Sequence, residues 1–343
     1  MEARSVPTSS RSSARARRTP AAPDPALVGR FAADLDRLLP AGTPVGVAVS
    51  GGPDSLALLL LASAARPDKV EAATVDHGLR PQSRTEAEAV AGICGSLGVP
   101  HSTLTIDWPQ KPASAIQEQA RAERYRQLAS WAQERGLGAI ATGHHLDDQA
   151  EPLLMRLVRG AGVQGLAGMR AIAPIPAPGS TVRLVRPLLD WRRSELEELC
   201  SAASLEAIAD PSNDDQQFER VRFRKAIAGA GWLDSVGLAR SASNLAAADA
   251  ALRWAAEREW ESGASVSEGE IRYRPNGPLE IRRRVVARAI ATLSSEGQGG
   301  ILRGREIDQA VAGLVRGRKG TLRGVLYEGG EEWRFTVAPP RKN

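Results

Sequence analysis

The six residues Ser50-Gly51-Gly52-Pro53-Asp54-Ser55 have the composition of a turn that binds phosphate. They lie between the apolar stretches 45–49 and 56–61, which predicts a strand, a glycine-rich turn and a helix. Backbone N–H groups in such a turn and at the helix start favour a polyphosphate. A mononucleotide P-loop has lysine before its last Ser or Thr, whereas this turn has Asp54. We predict that Asp54 recruits a cation such as Mg²⁺, the alternative being an ordinary helix cap.

Two further groups of polar residues follow predicted strands. Asp76 and His77 come directly after the apolar stretch 70–75, and a second group, Gly143, His144, Asp148 and Glu151, follows the stretch 139–142. Because ligands of parallel sheets bind at the carboxyl ends of the strands, we expect all three polar groups to form one site. Asp148 and Glu151 are three residues apart and share one helix face, although two acids at a helix start could simply favour its dipole.

The elements that must position these residues alternate along the chain. Predicted strands at 45–49, 70–75, 101–106, 139–142 and 182–185 are separated by predicted helices, the longest at 114–135. This alternation predicts an α/β fold with a doubly wound, Rossmann-like parallel sheet. Residues 160–190 are rich in Gly and Pro and are interpreted as a lid or crossing segment.

Shifts in composition predict three regions. Residues 1–22 form a basic tail that we expect to be disordered, and residues 23–233 form the α/β domain. Residues 234–343 form a second, mainly helical domain with helices at 240–260, 279–293 and 304–316. Alternating apolar residues over 321–337 predict a short hairpin at its end.

Charge and cysteine content restrict the class of protein. The net charge of +5 comes mostly from the tail, where five arginines accompany one glutamate, so the rest of the chain is nearly neutral. Cys94 and Cys200 are far apart and belong to no paired motif, which argues against a disulfide framework or a zinc site. No apolar stretch is long enough to span a membrane. We expect a cytoplasmic protein, although the Arg- and Ser-rich tail would also suit an organelle transit peptide.

Six motifs resemble those of the tRNA(Ile)-lysidine synthases, a family of PP-loop ATP pyrophosphatases. They are Ser50-Gly51-Gly52-Pro53-Asp54-Ser55, Asp76-His77-Gly78-Leu79-Arg80, Arg121-Ala122-Glu123-Arg124-Tyr125, Thr142-Gly143-His144-His145-Leu146-Asp147-Asp148-Gln149-Ala150-Glu151, Arg159-Gly160-Ala161-Gly162 and Arg186-Pro187-Leu188-Leu189. The first motif specifies only the superfamily, whereas the long histidine–aspartate motif is much narrower. The resemblance covers about residues 40–225 and is closest to the shorter form of the family, with one helical domain after the catalytic one.

The resemblance implies a ligase reaction. ATP, with Mg²⁺, would adenylate the C2 carbonyl oxygen of the wobble cytidine in an isoleucine tRNA that has a CAU anticodon. The ε-amine of free L-lysine would then attack C2 and release AMP. A glycine-rich anion cradle suits the pyrophosphate leaving group, and a carboxylate suits the lysine ammonium, which must lose a proton before it attacks.

The resemblance also assigns roles to residues. Catalysis would involve Asp54, Arg124, His144, Asp148 and Glu151, with Asp54 at the metal and His144, Asp148 and Glu151 at the lysine. ATP would contact Ser50, Gly51, Gly52, Pro53, Asp54, Ser55, Asp76, His77, Arg121 and Gly143. The best internal candidates for tRNA phosphates are Arg220, Arg222, Arg224 and Lys225. For the arginines of both helices, an ordinary solvated helix face stays open as the alternative.

Two positions depart from the family pattern. Pro152 replaces a usual threonine, and because proline is tolerated only in the first helical turn, it predicts a helix that starts near Asp148. Val221 replaces a usual asparagine in the basic stretch.

Three other functions stay open. A PP-loop tRNA thiolase would need reactive cysteines or an iron–sulfur site, and neither Cys94 nor Cys200 follows a polar strand end. A non-catalytic nucleotide-binding module would not explain the carboxylates at 148 and 151. A small-molecule synthetase or amidotransferase would use the same ATP chemistry, and only the basic helix argues against it. The sequence leaves both a monomer and a homodimer open.

Overall fold

The computed structural model describes residues 19–78, 82–108, 116–208, 219–294, 302 and 304–339. The chain divides into two compact units, each built from two segments. The first contains residues 1–148 and 170–225, and the second contains residues 149–169 and 226–343. Most of the predicted tail, residues 1–18, and the Leu79-Arg80 pair lie outside the described residues.

A six-stranded sheet forms the centre of the first unit. Its strands are β1 (Val45–Ala48), β2 (Val70–Asp76), β3 (His101–Thr105), β4 (Ala139–Ala141), β5 (Ile172–Pro174) and β6 (Arg183–Val185). The spatial order is β3-β2-β1-β4-β6-β5, and every neighbouring pair is parallel except β5 with β6. The predicted parallel sheet is therefore confirmed, with one antiparallel edge strand that the sequence analysis had interpreted as part of a lid. Strand order reverses between β1 and β4, where ligands of such sheets bind.

Helices surround this sheet. They are α1 (Pro25–Asp36), α2 (Pro53–Ala65), α3 (Ser83–Ser96), α4 (Ile116–Glu134), the start of α5 (Asp147–Val158), α7 (Arg193–Ala202) and most of α8 (Glu219–Gly229). The short strand β4 shows that the sheet is covered on both faces, because Ala139 and Ala141 belong to one apolar core and Ile140 to another. Helix α2 is apolar all round because it packs against α1 and α7 as well as the sheet.

The second unit combines helices with a sheet of its own. The helices are the rest of α5, α6 (Val163–Leu166), α9 (Ser235–Gly263), α10 (Leu279–Leu293) and α11 (Gly304–Val315). The strands β7 (Ala264–Ser267), β8 (Glu270–Tyr273), β9 (Lys319–Leu322), β10 (Val325–Glu328) and β11 (Trp333–Val337) form an antiparallel sheet in the order β7-β8-β11-β10-β9. The helices were predicted, but the expected single hairpin is part of this larger sheet.

Helix α5 differs from its prediction. It begins at Asp147, one residue before the predicted start, and Pro152 lies inside it rather than in its first turn. Proline has no N–H to donate to the carbonyl four residues earlier, so the helical hydrogen-bond ladder is interrupted there. Among the described helices, none is long and apolar enough to cross a membrane.

Candidate active site

The glycine-rich turn connects β1 to α2 and is held by its two serines. The hydroxyl of Ser55 donates to the carbonyl of Gly52 at 2.9 Å and accepts from the backbone N–H of Ser50 at 3.2 Å. Gly51 has a φ of +88°, and a Cβ there would lie 2.5 Å from Cδ1 of Ile208, so this position requires glycine. Gly52, at the N-cap of α2, offers no side chain to the first N–H groups of the helix. These groups remain available to an anion.

The turn after β4 lies directly against the start of α2. A Cβ on Gly143 would approach the carbonyl oxygen of Asp54 to 2.8 Å and the backbone nitrogen of Ser55 to 3.0 Å. Strands β1 and β4 are parallel neighbours, with Val47 paired to Ala141, so both turns emerge at the same edge of the sheet. The structure thus brings together the glycine-rich turn and the histidine–aspartate turn, as the sequence analysis expected.

Three carboxylates surround the side chain of His145, which is 4 % exposed. Its Nε2 is 3.6 Å from Oδ2 of Asp54 and 3.6 Å from Oδ2 of Asp148, and its Nδ1 is 3.6 Å from Oδ2 of Asp147. At this distance they are ion pairs rather than hydrogen bonds. Burial acts to lower the pKa of His145, but Asp147, Asp54 and Asp148 raise it to about 10. The imidazole is therefore charged at neutral pH.

Asp147 and Asp148 also fix the start of α5. The backbone N–H of His145 donates to Oδ2 of Asp148 at 3.1 Å, and the N–H of Asp148 donates to the carbonyl of His145 at 3.2 Å. Oδ2 of Asp147 accepts the backbone N–H of Arg193 at 2.8 Å, which ties the turn to α7. The acids therefore build the helix start as well as facing His145.

His144 has the opposite electrostatic environment from its neighbour. Its Nδ1 shares a 2.9 Å hydrogen bond with the hydroxyl of Thr142. The pKa of His144 falls to about 4, chiefly because of burial; Asp148 opposes this fall, whereas Arg186, Arg121 and His145 add to it. The imidazole of His144 is neutral at pH 7 and can accept or donate a proton.

Two arginines, Arg121 and Arg186, act electrostatically on His144. Arg121 and Arg124 are exposed on α4, and the guanidinium of Arg121 lies 5.1 Å from the ring centre of Tyr125. Arg186, which follows β6, is 9 % exposed. Arg186 belongs to the motif Arg186-Pro187-Leu188-Leu189 and has no predicted role. Its position directly after a predicted strand, as for the other site residues, was the available signal.

The remaining predicted residues are placed as follows. Asp76 ends β2, and its Oδ1 accepts from the N–H of Gly78 at 2.9 Å and from the hydroxyl of Ser83, so it builds the turn that precedes α3. The carbonyl of His77 accepts the indole N–H of Trp108 at 2.7 Å. Glu151 is 8 % exposed and lies three residues after Asp148 on α5, in the segment assigned to the second unit.

The basic stretch forms helix α8 as predicted. Arg222 and Lys225 are exposed on it. The side chains of Arg220 and Arg224 and the loop at 209–218 lie outside the described residues. The structure therefore supports a solvent-accessible positive charge at two of the four predicted tRNA-binding positions.

Asp54 has the properties expected of a Mg²⁺ ligand. Its Oδ1 is buried and has no hydrogen-bond partner among the described residues, while Oδ2 faces His145. Mg²⁺ commonly takes one or two carboxylates together with substrate phosphates and water rather than a cage of protein ligands. Within the described residues no group of three or more His, Cys, Asp or Glu side chains could hold a metal by itself. A metal here would depend on the phosphates of the substrate.

Comparisons with known proteins agree with this geometry. Residues 30–231 match the PP-loop domain family. The chain is 46 % identical to the tRNA(Ile)-lysidine synthase of Novosphingobium aromaticivorans over 92 % of this chain and 94 % of that protein. It is 42 % identical to the tRNA(Ile)-lysidine synthase of Zymomonas mobilis subsp. mobilis over 88 % of this chain and 91 % of that protein.

A solved structure shows the same fold at low identity. The U34-tRNA thiolase NcsA from Methanococcus maripaludis, determined with its [4Fe-4S] cluster, has a TM-score of 0.52 and 18 % identity to this chain. The similarity covers 64 % of this chain and 78 % of the thiolase. At this identity the likeness establishes the α/β architecture alone.

Proposed function

The chain belongs to the tRNA(Ile)-lysidine synthase family of PP-loop proteins, and on this premise we propose that it joins lysine to the wobble cytidine of an isoleucine tRNA with a CAU anticodon. Membership of the PP-loop family supports ATP binding, and we propose the glycine-rich turn as its site. The observation that carries the proposal is the joining of this turn to the acidic start of α5, through Gly143 against Asp54 and through His145 between Asp54 and Asp148.

The proposed reaction has two steps. First, the C2 carbonyl oxygen of the cytidine attacks the α-phosphorus of ATP, the bond between the α-phosphorus and the bridging oxygen breaks, and pyrophosphate leaves. Second, the ε-nitrogen of lysine attacks C2, the bond from C2 to the adenylated oxygen breaks, and AMP leaves with that oxygen and its electron pair. The ammonium of lysine gives up one proton before the attack and the new C–N bond releases another, so the site needs a base.

The first step needs a stabilised leaving group. The unpaired N–H groups at the start of α2 and the turn shaped by Ser50 and Ser55 would bind the pyrophosphate. A Mg²⁺ ion held by Oδ1 of Asp54 would neutralise charge on the phosphates when bound. On the adenosine side we propose Asp76 and His77, because β2 ends beside β1 at the same edge of the sheet. From the family resemblance we propose Arg121 beside the phosphate or adenylate.

The second step needs a place for a cationic amine. We propose that Asp148 and Glu151 bind the lysine ammonium, since they share one face of α5. A carboxylate of this pair would also accept the proton that the amine loses, with the neutral ring of His144 beside it. Arg124 is proposed as a further catalytic residue from the family resemblance.

For the tRNA we propose contacts from α8, with Arg220, Arg222, Arg224 and Lys225 meeting backbone phosphates. Such contacts would make tRNA affinity depend on salt but would carry no sequence information. We further propose that residues 23–233 carry catalysis, that residues 234–343 bind tRNA, and that the enzyme works in the cytoplasm. Sedimentation of the purified protein would distinguish a monomer from a homodimer.

The thiolase alternative finds no support in the cysteines. Cys94 and Cys200 are both buried, and burial raises the pKa of their thiols to about 12 and about 11. Thiols with such pKa values are poor nucleophiles at neutral pH. An iron–sulfur cluster held by cysteine alone takes about four thiolates, and this chain has two cysteines.

One assay tests the proposal. The protein is incubated with labelled lysine, ATP and Mg²⁺, together with isoleucine tRNA carrying the CAU anticodon or with the same tRNA carrying uridine at the wobble position. We expect label only in the first tRNA, with one AMP formed for each lysine incorporated. Equal label in both tRNAs, or none in the first, would contradict the proposal.

A further inference from the structure

A buried guanidinium without an acid partner lies beside the proposed site. Arg186 is 9 % exposed, and its Nη1 donates to the carbonyl of Arg170 at 2.6 Å. Its Nε is buried and has no hydrogen-bond acceptor within the described parts of the chain, and no Asp or Glu there forms an ion pair with it. Burying a charge without a counter-ion is costly, so such a group is usually kept for a ligand of opposite charge.

Arg186 lies at the edge of the sheet where the proposed site is. It is the first residue after β6, and the carbonyl of Val185 accepts the backbone N–H of Thr142 at 3.0 Å. The hydroxyl of Thr142 in turn bonds His144. Arg186 therefore lies at the same sheet edge as the glycine-rich turn, two strands away, with β4 and His144 between them.

Arg121 adds a second positive charge to this end of the site. The pKa of Arg186 is lowered by burial, is raised by Tyr125 and is lowered again by Arg121. Both arginines also lower the pKa of His144. The carboxylates of Asp54, Asp147 and Asp148 thus lie around His145, while the two guanidiniums act on the neighbouring His144.

We propose that Arg186 completes an anion subsite for the α-phosphate of the nucleotide, separate from the turn that holds pyrophosphate. Its partner there is Arg121, which the family resemblance already assigns to ATP. This inference rests on the proposed function. After the first step the nucleotide phosphate belongs to the cytidine adduct, while the pyrophosphate is a separate product. In the second step the C2–oxygen bond breaks and AMP gains a negative charge. A guanidinium fork next to that phosphate stabilises the charge as it develops.

The test measures binding of the separate products. In Arg186→Gln and Arg121→Gln we expect the affinity for AMP to fall about tenfold or more, while the affinity for pyrophosphate stays within about twofold of the original. Arg186→Lys keeps the charge but loses the fork, and should recover part of the AMP affinity. Arg183→Gln, an exposed arginine three residues earlier on β6, is the matched control and should change neither.

Single-turnover kinetics provide a second readout. With lysine and tRNA present, the decay of the adenylated tRNA should slow in Arg121→Gln. In the double variant, the fold-loss of AMP affinity should be smaller than the product of the two single fold-losses, because both residues contact one phosphate. Arg186 is buried, so its variants are compared with the original protein by thermal melting. If Arg186→Gln unfolds, Arg186→Lys and Arg121→Gln decide the question.

Three results separate the ideas. Unchanged AMP affinity in the folded variants would overturn the subsite. A fall in tRNA affinity with a shallower salt dependence and no change for AMP would mean that the arginines meet a tRNA phosphate, which also overturns it. If the original protein binds AMP through these arginines but never incorporates lysine, the subsite stands and the lysine ligase function fails.

Discussion

Acidic side chains outnumber the one charged imidazole at the start of α5. Asp54, Asp147 and Asp148 all lie 3.6 Å from ring nitrogens of His145, so three carboxylates share one imidazole. This excess suits an ammonium ion or a divalent cation. The two guanidiniums that act on His144 suit phosphates, so the site has groups for both kinds of charge in the proposed reaction.

The first prediction concerns Asp148. In Asp148→Asn the amide oxygen can still accept the backbone N–H of His145, so the start of α5 should survive. Loss of the negative charge should reduce lysine incorporation roughly 100-fold or more, with ATP affinity nearly unchanged. Labelled-lysine incorporation and nucleotide titration measure the two effects. Glu198→Gln, an exposed acid on α7, is the control, and unchanged turnover in Asp148→Asn would remove this carboxylate from the reaction.

The second prediction concerns the two adjacent histidines. The chain has four histidines, so their ring protons can be followed individually by NMR as pH varies. His144 should titrate near pH 4 and His145 near pH 10. If both rings titrated close to pH 6.5, the value of a free histidine, the electrostatic account of the site would be wrong.

These shifts also give the sign of the pH dependence of stability. The folded pKa of His144 is below that of the unfolded chain, so its contribution is present above about pH 6.5 and is lost as the pH falls towards 4. The folded pKa of His145 is raised, so its contribution is present below about pH 6.5 and is lost as the pH rises towards 10. Thermal melting should show a flatter alkaline limb in His145→Gln than in the original protein.

At the scale of elements, the site depends on the contact between the turn after β4 and the first turn of α2. Backbone meets backbone there, so the third prediction is that Gly143→Ala displaces the start of α2. We expect a loss of about 1–3 kcal/mol in the free energy of unfolding and at least about tenfold weaker ATP binding. Chemical denaturation and nucleotide titration measure these.

A glycine on the same stretch serves as the control for this prediction. A Cβ added at Gly138, which precedes β4, would have no atom within 4 Å. Gly138→Ala should therefore leave ATP affinity unchanged. If Gly143→Ala bound ATP as well as Gly138→Ala does, the close approach of the two turns would have no part in nucleotide binding.

The elements that could be predicted from the sequence are those with a clear pattern of apolar and polar residues. Strands β1, β2 and β4 and the polar residues after them were evident because each is a largely apolar run followed by Ser-Gly, Asp-His or Thr-Gly. Strands β7 and β8 were missed because they have only four residues each and are largely polar, with one turn at Gly269, which has a φ of +74°. Arg186 was given no role because its position after a predicted strand was the only signal in the sequence, whereas its burial is known only from the structure.

At the scale of the whole molecule, neither compact unit is one continuous stretch of chain. Residues 149–169 belong to the second unit, where the N–H of Gly168 donates to the carbonyl of Ala242 on α9 at 3.1 Å. A Cβ on Gly168 would lie 3.1 Å from that of Ala242, so the two segments pack closely. The boundary predicted at residue 233 therefore separates α6 from the helix it packs against.

The fourth prediction follows from this division. A protein that ends at residue 233 would keep residues 149–169 but lose α9, α10 and α11. We expect it to melt at a lower temperature than the full chain and to bind a hydrophobic dye, because the apolar side of residues 149–169 loses its cover. Calorimetry and dye fluorescence measure this. A truncated chain with the melting temperature of the full one would contradict it.

The interleaved units also have a consequence during synthesis on the ribosome. Residues 149–169 emerge before β6, which completes the parallel part of the first sheet, and well before α9, against which α6 packs. At roughly 5–20 residues per second, this segment waits some seconds for its partner. The first unit can therefore fold while residues 149–169 still lack the helix against which they pack. Slowing the ribosome between residues 169 and 235 should lengthen the period in which the nascent chain is prone to aggregate.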